Sequence, residues 1–221
     1  MLNEKSRKTL ISSSILTADF GRIGEVVGKL EKSGADYIHC DVMDGHFVPN
    51  LTFGSKFVGD LKQYTNLPLD VHLMITRPDL YAEKFIEAGA SILTFHCEAS
   101  CDVGALLDKI KKSKVKAGLA ISPDTPVKNI EKYIAVSDII LLMSVYPGFG
   151  GQKFIERSYE RASEIKSLTD KYNPKAIIEI DGGVNFANAD AIKACGVEML
   201  VAGNAVFTAP DMAQAIARLR G

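Results

Sequence analysis

Net charge is nearly absent from this sequence: 26 Lys and Arg against 27 Asp and Glu leave -1 over 221 residues. So balanced a chain has no global field to gather nucleic acid or an anionic membrane. Neither is expected as a partner, and any handling of phosphate must be local. Long apolar runs are also missing, since none approaches the roughly 18 residues of a membrane span. The opening stretch, MLNEKSRKTLISSSIL, is apolar only briefly and has no Ala-x-Ala site, so no signal peptide is expected. The four cysteines, Cys40, Cys97, Cys101 and Cys195, are too few for a secreted disulfide framework. Reduced thiols in a cytoplasmic protein are the expectation. Cys97 and Cys101 have a spacing that could seed a zinc site, but no second pair accompanies them, which favours free thiols. Linkers and low-complexity tracts are lacking too. A composition 47% hydrophobic and 24% charged excludes disorder and collagen and suits one domain over residues 1–221.

What the chain does contain is an alternation. Short runs rich in Val, Ile and Leu fall at 9–15, 37–42, 69–74, 92–96, 116–121, 138–143, 176–181 and 198–202. Segments of helical period lie between them, at 23–34, 54–64, 79–89, 103–113, 127–134, 160–172, 185–196 and 210–220. Gly34, Gly89 and Gly196 stand where a helix hands over to the next strand. Eight strand-helix units of about 28 residues predict the α/β class and a compact single-domain (β/α)8 TIM barrel. An open doubly wound sheet fits less well, because it would gather its ligand residues at one switch point, whereas polar residues end strands 1, 2, 3, 6, 7 and 8.

In such a barrel chemistry sits at the C-terminal ends of the strands. Strand 2 ends in His39-Cys40-Asp41-Val42-Met43-Asp44-Gly45, and strand alternation turns His39, Asp41 and Met43 to one side. Strand 3 carries His72 and Met74 on one face, and strand 7 ends in Asp181-Gly182-Gly183. Taken singly, a strand histidine is usually a hydrogen-bonded core residue, and a strand-end Asp a helix cap or turn former. Together, two His and two Asp at one barrel mouth can surround a divalent cation: zinc in first place, with iron(II), cobalt or manganese also suited. A place for an anion is written after strands 6 to 8. Gly148-Phe149-Gly150-Gly151, Gly182-Gly183 and Gly203-Asn204-Ala205 let backbone N–H groups approach a ligand closely.

These stretches resemble the ribulose-phosphate 3-epimerase family. HCDVMDGHFVPN (39–50), DVHLMI (70–75), SVYPGFGGQKF (144–154) and EIDGGV (179–184) look like that family's motifs, and the match runs from Ser14 to Ala205. The resemblance implies that His39, Asp41, His72 and Asp181 hold the metal and that Asp41 and Asp181 are the acid/base pair. Ser14 and His72 would contact the sugar. Gly148, Phe149, Gly150, Gly151, Asp181, Gly182, Gly183, Gly203 and Asn204 would bind the rest of the substrate and its phosphate. It also implies a homo-oligomer, dimer or hexamer. Two residues depart from the pattern: Ser13 stands where Pro is common, and Asn204 where Ser is common.

Inverting C3 of a 2-ketose phosphate needs acid/base groups on both faces of one carbon, a role two carboxylates can fill. The expected reaction interconverts D-ribulose 5-phosphate and D-xylulose 5-phosphate, a step of the pentose phosphate pathway. A divalent cation would stabilise the cis-enediolate intermediate. Met43, Met74 and Met143 at strand ends would either fill the core, the default for Met, or form a non-ionic cap that keeps water from it. His96 and Glu98 at the end of strand 4, and His46 in the loop after strand 2, are candidates for ordering the ligands or the loop, or for purely structural roles. Three other functions fit the residues less well. A sugar-phosphate-binding module would need no acid pair, and a hydrolase would need an activated water at an open metal position. A barrel decarboxylase commonly has Lys between two Asp after strand 2, where Met43 stands here.

Overall fold

The computed structural model describes residues 8–221; residues 1–7, part of the stretch read as lacking a signal peptide, lie outside them. Eight parallel strands close a barrel in chain order, with β8 returning to β1. The strands are β1 (Leu10–Ser14), β2 (Tyr37–Met43), β3 (Leu69–Met74), β4 (Ala90–His96), β5 (Lys116–Ile121), β6 (Ile139–Met143), β7 (Ile177–Asp181) and β8 (Met199–Ala202). Around them run α1 (Ile23–Lys32), α2 (Ser55–Leu61), α3 (Pro78–Glu87), α4 (Val103–Lys112), α5 (Glu131–Ile134), α6 (Ser158–Tyr172), α7 (Ala189–Ala194), α8 (Asn204–Phe207) and α9 (Met212–Arg220).

The period-2 strand pattern sorts residues between two environments. Ile38, Cys40 and Val42 on β2, Val71 and Leu73 on β3, and Ile178 and Ile180 on β7 join the large apolar core that includes the helix residues. Their neighbours face the barrel axis. At the N-terminal end the axis is plugged by Ile92, Ile139 and Met199, packed with Leu10, Tyr37 and Ile177. Higher up it turns polar, with Ser12, His39, Asp70, Thr94 and Glu179 all at 0% exposure. Polar groups that deep must find partners inside the protein, and those partners shape the site.

Element bounds differ from the sequence reading where a local hydrogen bond overrides the hydrophobic period. β1 stops at Ser14, whose hydroxyl accepts from Leu16 N–H and opens a 3-10 turn over Ile15–Thr17. The segment 127–134 is a 3-10 turn for its first half. α7 begins at Ala189 rather than 185, because Asn185 N–H donates to Asn188 Oδ1 in a turn of its own. Asp211 caps α9 by accepting from Ala213 and Gln214 N–H, which moves the helix start past Pro210. The short α8 was not expected as a separate helix. Gly34, Gly89 and Gly196 take φ of 84°, 94° and 91°, the left-handed turn a helix end needs. No helix among the described residues is long and apolar enough to cross a membrane.

Candidate active site and metal centre

Strand register brings the polar residues together. His39 pairs with Asp70 and Asp41 with His72 between β2 and β3, while Met143 pairs with Asp181 between β6 and β7. Barrel closure then places β7 two strands from β1, and the ends of β2, β3 and β7 share one mouth. His39, Asp41, His72 and Asp181 each offer one atom to a cluster whose atoms all lie within 4.8 Å of one another. His39 Nε2 is 3.3 Å from Asp41 Oδ1 and 3.9 Å from Asp181 Oδ2. His72 Nδ1 is 3.2 Å from the same Asp41 oxygen and 3.9 Å from the same Asp181 oxygen.

This donor set fits a divalent cation. His39 Nε2 is fully buried and has no hydrogen-bond partner, a costly state for a ring nitrogen unless something else fills it. Two imidazole nitrogens and two carboxylate oxygens make a charge and softness match for zinc, iron(II), cobalt or manganese. A second grouping, His39, Asp70 and Glu179, also lies within ligand reach. It shares His39, whose Nδ1 there is already 2.7 Å from Asp70 Oδ2. Burial and the charge of Asp70 push the Glu179 carboxyl well above its usual range, so it keeps its proton and is a poor ligand.

Sequence reasoning missed the residues that hold the ligands in place. Asp70 Oδ2 accepts from Ser12 Oγ at 2.7 Å as well as from His39. A proton on His39 Nδ1 leaves the lone pair of Nε2 pointing into the cluster. Ser14 was expected to touch the sugar; it lines the cavity, and its hydroxyl donates to Asp41 Oδ2 at 2.8 Å. Ser144 ties β6 to the end of β7, donating from Oγ to the carbonyls of Asp181 at 2.9 Å and Gly182 at 2.7 Å. A usable signal existed for Asp70 and for its buried neighbour Glu179: each stands two residues before a candidate ligand, hence on the same strand face.

A cavity of about 390 Å³ opens above the cluster. Asp41, Asp181, Met43, Met74 and Met143 line it, and so do Gly148 to Gly151, Gly182, Gly183, Gly203 and Asn204. Among the described residues no Lys or Arg lines it. His72 is not on that wall. Its fully buried ring lies between Asp41 and His96. His96 and Glu98 extend this contact outward, whereas His46 is exposed in a turn built on Asp44 and lies apart from the cluster. The side chain of Asn204 lies over Gly151, and Ser13 is buried with its hydroxyl unpartnered. All four cysteines are free, and among the described residues Cys97 and Cys101 belong to no grouping able to hold an ion.

The two acids differ in their surroundings. Burial opposes ionisation of Asp41, but the charge of His39 and the ring nitrogens of His39 and His72, 3.3 and 3.2 Å from Oδ1, outweigh it and hold the carboxyl well below the usual range. For Asp181, burial and the neighbouring charge of Asp41 act together and push it up to about 7. A pair so separated holds one proton near neutrality.

Residues 10–207 match the model of the ribulose-phosphate 3 epimerase family. The chain is 47% identical over 212 residues to a ribulose-phosphate 3-epimerase of Bacillus subtilis, covering 96% of this chain and 98% of that one. It is 44% identical over 215 residues to the Escherichia coli K12 protein of the same name, covering 97% and 96%. Among solved structures, 3-hexulose-6-phosphate synthase from Salmonella typhimurium superposes with a TM-score of 0.69 at 14% identity, covering 96% of each chain, a likeness of fold alone. With a family match across nearly all of the barrel and the motif residues gathered at one mouth, the chain belongs to the ribulose-phosphate 3-epimerase family.

Proposed function

We propose that the protein is a metal-dependent epimerase that interconverts D-ribulose 5-phosphate and D-xylulose 5-phosphate by inverting C3 through a cis-enediolate. The observation that carries this reading is that Asp41 and Asp181, from strands on separate parts of the barrel, both face one cavity, and their environments leave one proton between them. Held by His39, Asp41, His72 and Asp181, a divalent cation, zinc first, would stabilise negative charge developing on substrate oxygen. One aspartate takes the C3 proton from its face of the carbon while the other, protonated, delivers a proton to the opposite face. The exchange leaves the pair with its roles reversed, ready for the opposite direction. Ser14 steadies Asp41 through Oδ2, and Ser144 steadies the backbone of Asp181. Met43, Met74 and Met143, at most 3% exposed, keep water from the enediolate without offering it a proton. The place of the reaction is the pentose phosphate pathway, in the cytoplasm, in a homo-oligomer of two or six chains.

The phosphate is received by the loops after β6, β7 and β8. With no cationic side chain among the described residues on the wall, backbone N–H groups supply the attraction, including those of Asn204 and Ala205 at the start of α8. Gly183 is closed in by backbone. Its φ is 65°, and a Cβ there would lie 2.5 Å from the backbone nitrogen of Phe154, in the loop after β6. Gly183→Ala therefore has to spread two phosphate loops, at a cost of about 1–3 kcal/mol. The expected result is a lower Tm and a KM for the sugar phosphate raised by about tenfold or more. An unchanged KM would remove this loop contact from the binding site.

Deuterium oxide tests the reaction itself. Incubation with ribulose 5-phosphate should place deuterium at C3 of both epimers and nowhere else, and turnover should be faster on the pentulose phosphate than on a hexulose phosphate. Label at C1 would point instead to an aldose-ketose isomerase and sink the proposal.

A further inference from the structure

His72 offers one nitrogen to the ion cluster and keeps the other back. That second nitrogen, Nε2, lies 2.9 Å from Nε2 of His96, and the two rings stack with centroids 5.0 Å apart. Two neutral imidazoles share a single proton across such a contact, so one ring donates and the other accepts. Each end of the pair meets a carboxylate, Asp41 Oδ1 at 3.2 Å from His72 Nδ1 and Glu98 Oε2 at 3.2 Å from His96 Nδ1; with a cation at the cluster to take the His72 Nδ1 lone pair, the far end decides which. His96 Nδ1 lies 3.2 Å from Glu98 Oε2, and a carboxylate can only accept. Ser122 Oγ, 3.3 Å from the same nitrogen, can also accept from it. His96 therefore carries its proton on Nδ1 and accepts at Nε2, and His72 donates from Nε2. The lone pair of His72 is left on Nδ1, facing Asp41 Oδ1 and Asp181 Oδ2. The reverse order would set the His96 Nδ1 lone pair against the carboxylate.

We propose that Glu98, acting through His96, is a positioning residue that fixes the tautomer of His72 and keeps His72 Nδ1 available to a divalent cation. This rests on the metal reading above. Glu98 is itself held. Its Oε1 accepts the backbone N–H of Ser122 at 2.9 Å. Arg161 of α6, 4% exposed, donates from Nη2 to the carbonyls of Ser122 at 2.9 Å and Thr125 at 2.7 Å. A chain of fixed hydrogen bonds thus runs from the outer helix layer through the loop after β5 to one ligand nitrogen. The other histidine is set separately: His39 donates to Asp70, on the β3 side. A change at Glu98 therefore reaches one ligand and spares the other.

Glu98→Gln tests the direction of the chain. The Ser122 N–H keeps the side-chain oxygen, so the new NH2 faces His96 Nδ1, a donor where an acceptor stood. His96 must move its proton to Nε2, and His72 then holds a proton on the nitrogen that a cation needs. The expected result is a zinc Kd, measured by competition with a chromogenic chelator, weakened about 10- to 100-fold with the Tm of the metal-free protein unchanged. Glu98→Ala removes the acceptor without supplying a donor and leaves Ser122 Oγ to accept, so it should weaken zinc less than Glu98→Gln. A merely structural role predicts the opposite order, since the truncation is the larger disturbance. In zinc-loaded wild-type protein, nitrogen-proton correlation spectra should place the His96 proton on Nδ1, a readout that does not depend on any variant folding. Equal zinc Kd in wild type and Glu98→Gln, Glu98→Ala as the weaker binder, or a His96 proton on Nε2 would overturn the proposal alone. Wild-type protein without zinc affinity would overturn the metal reading and the relay with it.

Discussion

Asp41→Asn and Asp181→Asn should each lower kcat for epimerisation by about three orders of magnitude while the circular dichroism of the barrel stays unchanged. An amide neither takes nor gives a proton at C3, and its near-identical shape leaves the packing around it in place. The two variants should differ in what survives. With Asp181 replaced, Asp41 still faces one side of the carbon, so one epimer exchanges its C3 proton with solvent deuterium without inverting, and the other epimer is inert. With Asp41 replaced, the inert and exchanging epimers trade places. The Asp41 charge is among the causes that push Asp181 up to about 7, so in Asp41→Asn the remaining acid should titrate lower. Because both residues also belong to the ion cluster, zinc content has to be measured on each preparation and restored before assay. Turnover near the wild-type rate in either variant, or exchange of the same epimer in both, would dispose of the two-acid scheme.

Stripping the divalent metal with a chelator should reduce kcat by about a thousandfold, the equivalent of about 4 kcal/mol of charge stabilisation, and zinc, iron(II), cobalt or manganese should restore it. The cavity needs that positive charge. Asp41 and a phosphorylated substrate bring negative charge to a wall on which no described residue is Lys or Arg. Metal uptake should also release protons. Burial alone would lower His39, but the charges of Asp41 and Asp70 outweigh it and hold it well above its usual value, so the metal-free protein carries a proton there at neutral pH. A cation has to displace it. Zinc affinity should accordingly rise with pH up to the point at which metal-free His39 loses its proton. Calorimetry in buffers of different ionisation enthalpy measures the proton count directly. Saturating metal should raise Tm, with about 2.7 kcal/mol gained at a concentration one hundred times Kd. Full activity in protein shown to be metal-free would contradict the assignment.

Much of the site was legible in the sequence because a strand has a period of two. His39 and Asp41 share a face by spacing alone, as do Asp70, His72 and Met74, and strand ends are where a barrel exposes its interior. The partners of these residues were not legible. Ser14 reads as a sugar contact and turns out to brace Asp41 as well. His96 reads as a strand-end residue with an ordering or a purely structural role, and it lies in contact with His72. Glu179 stands inside a recognised motif, yet its burial beside Asp70 appears only in three dimensions. The short helix Asn204–Phe207 escaped the periodicity because four residues are too few to show one.

By itself the sequence determined the alternation of strands and helices, the faces of each strand, and the residue types at the barrel mouth, since all of these follow from the local period of a single chain. The tertiary structure alone decided which nitrogen meets which oxygen. That depends on strand register and on closing β8 against β1, which set residues from β2, β3 and β7 within a few ångströms of each other. Hydrogen-bond direction depends on it as well: a histidine ring has two nitrogens and one proton, and the neighbour that takes the proton lies on another strand.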